Sequence, residues 1–231
     1  MTISTILRPS VLKTDLLDDA LARMYNKYIE RRPHLKPAEY VLSYPLPAKR
    51  HVLHQLLCID RDFPYDDELM NSVESFLAFE QTQIAPENFI DPDGEEYEVF
   101  PHPDRDWQSV SAWKGNMLHI QGDYKWAIVN PANSELMGCF VPEHRCLDNQ
   151  IHTAAGPRLR QECREDINKR RRKRPPPEGV PIITGAGLLP FGHVIHVAGP
   201  SLERRRQATA EEEDKLRNAY RNSLTLALKV S

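Results

Sequence analysis

The sequence has little of what marks secreted, membrane-bound or nucleic-acid-binding proteins. Four cysteines in 231 residues are too few for a disulfide scaffold, so we expect a reducing, cytoplasmic setting. No run approaches the ~18–20 apolar residues that span a bilayer, and the N-terminus, MTISTILRPSVLKTDLL, lacks an uninterrupted apolar core of signal-peptide length. Because 30 basic and 33 acidic residues nearly balance, the net charge of −3 creates no general attraction to nucleic acid or anionic lipid. We therefore expect neither partner and look for a local site.

The chain has enough apolar material to fold. Hydrophobic residues make up 40% of it and charged residues 27%, which are globular proportions. The mean hydropathy of −0.56 then indicates a well-solvated surface. The length predicts one domain with a sizeable attachment, or two domains.

Apolar residues recur at helical spacing three times in the first hundred residues. The first repeat runs from Thr14 to Tyr28, the second covers 52–57 after two prolines, and the third runs from Leu69 to Leu77 after an acidic turn. The stretch from Pro86 to Asp106 is rich in proline and aspartate and contains the turn dipeptide Asp93-Gly94. These patterns predict a helical N-terminal extension over residues 1–106.

From residue 107 to residue 231 the pattern changes to short apolar runs bounded by glycine, proline and asparagine, which is typical of buried strands. Helical patterns lie between these runs. The alternation of strands and helices predicts an α/β domain of three layers. The candidate strands are Met117–Ile120, Trp126–Val129, Ile182–Thr184 and His193–Ala198, and the candidate helices are Pro157–Lys169 and Ala210–Leu228, the second with an apolar stripe and a capping box of Thr209 and Glu212.

Six consecutive basic residues, Lys169 to Arg174, precede three prolines. Cations near a helix C-terminus interact favourably with the helix dipole, which favours a solvated helix end and a surface loop. A nuclear-import signal or an anion-binding patch is the alternative, and it would allow a nuclear location.

Two thiols and an imidazole lie within eight residues in the stretch GCFVPEHRCLDNQIH. Cys139, His144 and Cys146 form the pattern C-x4-H-x-C, whose donor types suit zinc best. With three protein ligands the site would keep an open position, as catalytic zinc sites do, whereas His152 or Cys163 could close it as a structural site. A chance clustering of unrelated side chains is the remaining alternative.

Asp148 follows this cluster directly. A carboxylate near an open-site cation can orient a water molecule or stabilise positive charge that develops on a sugar. An aspartate at the start of a helix is also favourable for the helix dipole alone. The residue itself does not decide between these roles.

Four ordered motifs resemble the macrodomain, an ADP-ribose-binding α/β module. The segment GCFVPEHRC, residues 138–146, is similar to an insertion of its zinc-containing branch, the protein ADP-ribosyl hydrolases of bacteria and fungi. Residues 47–70 resemble the helical extension that this branch carries before its macrodomain. The resemblance thus covers most of the chain from Pro47 onward. The motifs are VNPANS (129–134), LDNQIHTAAGP (147–157), ITGAGLLPFGHVIHVAGP (183–200) and AYRNSLTLA (219–227).

The resemblance implies a function and roles for particular residues. A hydrolase of this branch removes mono-ADP-ribose from modified protein side chains, so the implied partners are ADP-ribose and an ADP-ribosylated protein. Asn133 would hydrogen-bond the distal ribose, and Asp148 would lie near the scissile carbon, where it stabilises an oxocarbenium-like state. The resemblance also implies substrate contacts from Asn116, Met117 and Asn130, and Zn2+ as the cofactor held by the cysteine and histidine ligands. The alternative is an ADP-ribose-binding module or an inactive relative with a structural zinc.

Three departures from the family pattern modify these expectations. Asn116 stands where an aspartate usually binds adenine, which implies softer adenine selectivity. Trp126 replaces a common acidic residue with no evident catalytic consequence. No Ser-Thr-Gly loop, which cradles the diphosphate in the family, follows the last helix, so the resemblance implies a macrodomain that lacks its last strands and has an exposed sheet edge.

Overall fold

Helices make up most of the N-terminal part of the chain. The computed structural model describes residues 9–83, 98–102, 105–112, 115–120, 125–202 and 207–230. The three predicted helices are confirmed. A short fourth helix lies between the first two of them, and the sequence did not predict it because five residues are too few to show a helical repeat. The helices are α1 (Pro9–Ile29), α2 (Ala38–Leu42), α3 (Leu46–Leu56) and α4 (Asp67–Thr82).

Helix α4 begins where its sequence predicts. The side chain of Asp66 accepts a hydrogen bond of 2.9 Å from the backbone N–H of Leu69, which satisfies one of the free donors of the first turn. The apolar face of α4 packs against α1 and α3 in one continuous core. The fully buried side chains at its centre are Leu17, Leu21, Met24, Leu53, Val73 and Phe76.

A hairpin lies across the boundary that the sequence placed at residue 106. Strands β1 (Glu98–His102) and β2 (Arg105–Ala112) pair antiparallel, with Glu98 opposite Ala112. Much of the proline- and aspartate-rich stretch lies outside the described residues. The division into residues 1–106 and 107–231 therefore stays a prediction.

A small mixed sheet forms the centre of the second half. Its strands are β3 (Ala127–Ala132), β4 (Ile182–Gly185) and β5 (His193–Ala198), in the order β3-β5-β4. Strand β5 pairs parallel with β3 and antiparallel with β4. The three corresponding strand predictions are confirmed.

The predicted strand at Met117–Ile120 is wrong. Residues Met117–His119 form a 3-10 turn, because the side chain of Asn116 accepts a hydrogen bond of 3.1 Å from the backbone N–H of Leu118. Asparagine side chains compete in this way with the ladder of a sheet. The apolar run was therefore misleading at this position.

Three helices accompany the sheet: α5 (Leu147–Ala155), α6 (Pro157–Lys169) and α7 (Ala210–Ala227). Helix α6 has its predicted bounds, and α7 begins with the predicted capping box of Thr209 and Glu212. Most of the predicted apolar stripe of α7 faces solvent, since its large side chains are about half exposed or more and only Ala219 and Ser223 are buried on this helix. The exposed side chains are Leu216, Tyr220, Leu224 and Leu228. These side chains form an exposed apolar stripe along α7.

The basic run behaves as a helix end and a surface loop. Arg170 pairs with Asp166 one turn earlier, at 2.8 Å, and residues 171–174 are exposed. An import signal there stays a prediction. Within the part of the chain that the structure describes, no helix has the length and apolar character needed to cross a membrane.

The helical part braces helices α5 and α6. The side chain of Gln81 donates a hydrogen bond of 2.8 Å to the Ala154 carbonyl at the end of α5. Arg158, at the start of α6, pairs with Glu74 at 2.6 Å. These contacts fix α5, whose first turn carries the candidate site.

Gly187 makes a second close contact with the end of α5, and it yields a prediction. Its φ of +58° is in the left-handed region, and a Cβ there would overlap the carbonyl of Ala155. We expect Gly187→Ala to lower the free energy of unfolding by about 2–3 kcal/mol, measured by chemical denaturation. Gly199→Ala is the matched control, because the nearest heavy atom to its Cβ is Leu216 Cδ1 at 4.0 Å. Equal effects of the two changes would contradict this account.

Candidate functional site

The site is built around the carboxylate of Asp148, in the first turn of α5. Cys146 is the N-cap of this helix, and its sulfur accepts a hydrogen bond of 3.3 Å from the backbone N–H of Asn149. The helix direction points the Asp148 side chain towards β3, and the residue is only 4% exposed. The positive end of the helix dipole stabilises a negative charge at this position.

Two asparagines at the end of β3 hold this carboxylate. The amide of Asn130 donates to Asp148 Oδ1 at 2.8 Å, and the amide of Asn133 donates to Oδ2 at 3.3 Å. Burial raises the pKa of Asp148 above its ordinary value, while the hydrogen bond from Asn130 and the charge of Arg160 oppose that rise. The result is a carboxylate with fixed orientation and little contact with water.

Asn133 also fixes the loop that follows β3. Its amide donates to the Gly138 carbonyl at 3.0 Å, and its Oδ1 accepts from the backbone N–H of Glu135 at 2.9 Å. Gly138 has a φ of +90°, and a Cβ there would lie 2.8 Å from Cγ of His152. Only glycine lets this loop pass over the histidine ring.

The three predicted metal ligands lie together on this loop. Cys139 Sγ lies 3.3 Å from His144 Nδ1, and one ligand atom from each of Cys139, His144 and Cys146 lies within 4.8 Å of the others. Two sulfurs and an imidazole nitrogen at this spacing fit the donor set of zinc. Burial raises the pKa of the Cys146 thiol, so the thiolate form needs a stabilising cation.

The residues considered as a fourth ligand lie in a second group. His152 and Cys163 join His196 in a fully buried cluster whose ligand atoms also lie within 4.8 Å of one another. Neither ring nitrogen of His152 has a hydrogen-bond partner among the residues that the structure describes, although Nε2 lies 3.5 Å from Asp148 Oδ1. Burial and the nearby charge of Arg160 hold the pKa of His152 well below its ordinary value. The imidazole behind Asp148 is therefore neutral.

Arg160 is the buried cation of the site. It is 8% exposed, it donates to the Leu57 carbonyl of the helical part, and its guanidinium carbon lies 4.9 Å from the centre of the Phe140 ring. Burial lowers its pKa, and the charge of Asp148 is among the groups that oppose this. Arg160 thus contacts the helical part and the loop of residues 138–146, and its charge acts on the Asp148 carboxylate.

The remaining predicted substrate contacts have local roles in the structure. Asn130 is fully buried, with its amide donated to Asp148. Asn116 is exposed and caps the 3-10 turn, while Met117 is half-buried against the core below β3. Trp126, the family departure, joins β3 to β5 through its carbonyl, which accepts from Gly192 at 3.0 Å. Direct ligand contacts of the first three residues stay predictions.

Sequence reasoning missed two polar residues of this network. His196 on β5 lies 3.1 Å from the Asn130 amide through Nδ1, and 2.9 Å from the Thr184 hydroxyl through Nε2. The signal that could have found His196 is a histidine inside the apolar strand HVIHVA. Thr184 gives no such signal, because threonine is common in strands.

A cavity of about 780 Å³ lies between the helical part and the loop of residues 138–146, which carries the candidate ligands. Charged side chains from both sides line it, including Arg50, Glu80 and Arg145. The candidate ligand His144 also lines this cavity. Burial by itself would raise the pKa of Glu80. The hydrogen bonds that its carboxylate accepts from His54, at 3.0 Å, and from Arg50 outweigh this effect and lower the pKa below its ordinary value. The cavity brings a polar, partly enclosed space next to the ligand cluster.

Comparison with known proteins identifies the second half of the chain. Residues 129–231 match the Macro domain family. A probable bifunctional ADP-ribose hydrolase/ADP-ribosyltransferase of Fusarium oxysporum f. sp. cubense is 30% identical over 212 residues, which are 90% of this chain and 32% of that protein. A protein-ADP-ribose hydrolase of Staphylococcus aureus (strain MSSA476) is 37% identical over 121 residues, 52% of this chain and 42% of that protein.

A solved structure, the Oceanobacillus iheyensis macrodomain with ADP, is 31% identical and covers 59% of this chain, with 67% of its own chain matched and a TM-score of 0.46. The chain therefore spans less than half the length of the two hydrolase relatives that it matches. Asn130, Asn133 and Asp148, with the whole of helix α5, lie inside the family match. Residues 129–231 of this protein are a macrodomain.

Proposed function

We propose that the protein hydrolyses the bond between ADP-ribose and a modified protein side chain. The observation that carries this proposal is the buried carboxylate of Asp148, held by the amides of Asn130 and Asn133 beside the cysteine-rich loop. Relatives named protein-ADP-ribose hydrolase support it, with 37% identity over 121 residues, as does the match of residues 129–231 to the Macro domain family.

The chemistry follows from the placement of Asp148. In the reaction, the bond from the anomeric carbon of the distal ribose to the acceptor atom breaks, water supplies a hydroxyl to that carbon, and the remaining water proton goes to the acceptor. The transition state carries positive charge on the ribose ring, which a nearby fixed carboxylate stabilises. Because Asp148 is already oriented by two amides, it needs no reorganisation when that charge develops.

Asn133 provides the ribose contact in this proposal. Its amide group can donate to one ribose hydroxyl and accept from another, which suits a neutral diol. Its present hydrogen bonds to Gly138 and Asp148 hold it beside the carboxylate. The ribose and the carboxylate are thereby brought to one place.

We further propose that Cys139, His144 and Cys146 hold zinc. Their donor types and spacing support this. Zinc bound there would supply Lewis-acid polarisation of a ribose hydroxyl or of the attacking water. We propose a reducing compartment as the place of action, because four cysteines in 231 residues are too few for a disulfide scaffold.

An ADP-ribose-binding module is the second candidate function. The observation in its favour is that Asp148 is 4% exposed and that both of its oxygens already accept hydrogen bonds. Such a carboxylate supports the site structurally without reaching a substrate. Calorimetry with free ADP-ribose, together with an activity assay, separates the two: binding without any turnover favours the module.

Asp148→Asn tests the proposed catalytic role. The amide cannot supply the negative charge, so we expect release of ADP-ribose from a modified protein to fall at least about 100-fold. The side chain keeps its shape, but its NH2 group must face one of the two amides that donate to Asp148, so the free energy of unfolding should fall by about 1–3 kcal/mol with the fold retained. Asp62→Asn, at a side chain that is 81% exposed, is the control and should retain full activity. Undiminished release by the Asp148 variant would refute the assignment.

Cys146→Ser tests the metal site. Serine is a good N-cap, so helix α5 should persist while a sulfur ligand is lost. We expect elemental analysis to give one zinc per chain for the original protein and well below half of that for the variant. Cys58→Ser is the cysteine control, because Cys58 lines the same cavity as His144 but does not belong to the ligand group, and its thiol donates to the His54 and Gln55 carbonyls. The proposal fails if the original protein carries no zinc or if both variants keep it.

A further inference from the structure

His196 is the least expected polar residue in the sheet. It lies in the middle of β5 with no exposed surface, between the buried residues Ile195 and Val197. A buried imidazole without hydrogen bonds would cost roughly 1–3 kcal/mol, so its partners matter. Both of its ring nitrogens have one, and these partners lie on two other strands.

The carboxylate of Asp148 sets the direction of the first hydrogen bond. An ionised carboxylate only accepts, so the Asn130 side chain must present its NH2 group to Oδ1 of Asp148. The same nitrogen lies 3.1 Å from Nδ1 of His196, and its second hydrogen is the one available for this contact. Nδ1 of His196 is therefore an acceptor and carries no proton.

The other ring nitrogen, Nε2, fixes the direction of the remaining hydrogen bonds. A neutral imidazole without a proton on Nδ1 carries it on Nε2, which then donates to the Thr184 hydroxyl at 2.9 Å. The Thr184 hydroxyl in turn donates to the Gly185 carbonyl at 2.8 Å. Every donor from Thr184 to Asn130 has an acceptor, and the Thr184 hydroxyl has a second one in the Val194 carbonyl at 3.5 Å. Burial lowers the pKa of His196 to about 4, in agreement with a neutral ring.

We propose that His196 is a positioning residue for Asp148, because its Nδ1 fixes the Asn130 amide in the one orientation that donates to the Asp148 carboxylate. Thr184 supports this arrangement, because its hydroxyl accepts a hydrogen bond from His196 Nε2 and so keeps the proton on that nitrogen. The catalytic part of this inference rests on the proposed function, but the hydrogen-bond directions do not.

A buried cation is the competing use of the same side chains. His152, Cys163 and His196 could each offer one ligand atom to it. Nε2 of His196 is already bonded to Thr184, however, and lies 3.5 Å from Cys163 Sγ. The buried guanidinium of Arg160 further disfavours a second positive charge there. The hydrogen-bonded chain therefore accounts better for His196.

Long-range 1H–15N NMR on the full chain at neutral pH tests the directions without any activity assay. We expect the side-chain signals of His196 to show a neutral ring with its proton on Nε2, assigned by their loss in His196→Asn. A proton on Nδ1, or a charged ring, would overturn the inference. So would elemental analysis that finds a metal lost on Cys163→Ser, since the ring would then be a ligand.

A pair of variants of the same shape tests the positioning role. His196→Asn places an acceptor oxygen near the former Nδ1, whereas His196→Leu has the same branching and no acceptor. We expect His196→Leu to lower kcat for release of ADP-ribose about tenfold with little change in KM, and His196→Asn to recover to within about threefold of the original. Equal losses in the two variants, or a loss confined to KM, would contradict the positioning role. If the original protein releases no ADP-ribose at all, the proposed function fails. The NMR result still decides the hydrogen-bond directions at His196 in that case.

Discussion

The candidate site depends most on the interactions that keep the Asp148 carboxylate buried in the protein. Removing an ionised group from water is expensive unless hydrogen bonds replace its hydration. Asp148 meets this requirement with amides from Asn130 and Asn133 and with the N-terminal end of α5. Each of these depends on backbone placement, because the amides require β3 to end beside the first turn of α5. Parallel pairing of β3 with β5 fixes that end.

The helical part of the chain contributes to the same site. Arg160 reaches across from α6 to a carbonyl at the end of α3, so the buried cation that faces the carboxylate also connects the two halves. The salt bridge between Arg158 and Glu74 holds α6 against the helical part, and the hydrogen bond from Gln81 to the Ala154 carbonyl holds α5. On the other side of α5, the helical part forms one wall of the polar cavity that contains His144. The helical part therefore encloses the candidate site from one side.

Local pattern was enough to predict much of the fold. The apolar repeats located α1, α3 and α4, and the capping box located the start of α7, because each signal depends on neighbours in sequence. The turn at Met117 was taken for a strand, since the capping hydrogen bond of Asn116 competes with an apolar run in a way that no repeat reveals.

The site was predictable only where its residues are close in sequence. Cys139, His144 and Cys146 share one loop, and their proximity in the structure follows their spacing. His196 and Thr184 come from strands that are distant along the chain from Asn130, so only the sheet register brings them together. The same applies to His152 and Cys163, which joined His196 rather than the ligand loop.

A crystal structure of the protein soaked with ADP-ribose tests the central claim most directly. The account predicts the distal ribose beside Asn133, with its anomeric carbon facing the carboxylate of Asp148. A ribose bound elsewhere, with Asp148 still enclosed and out of contact, would contradict it.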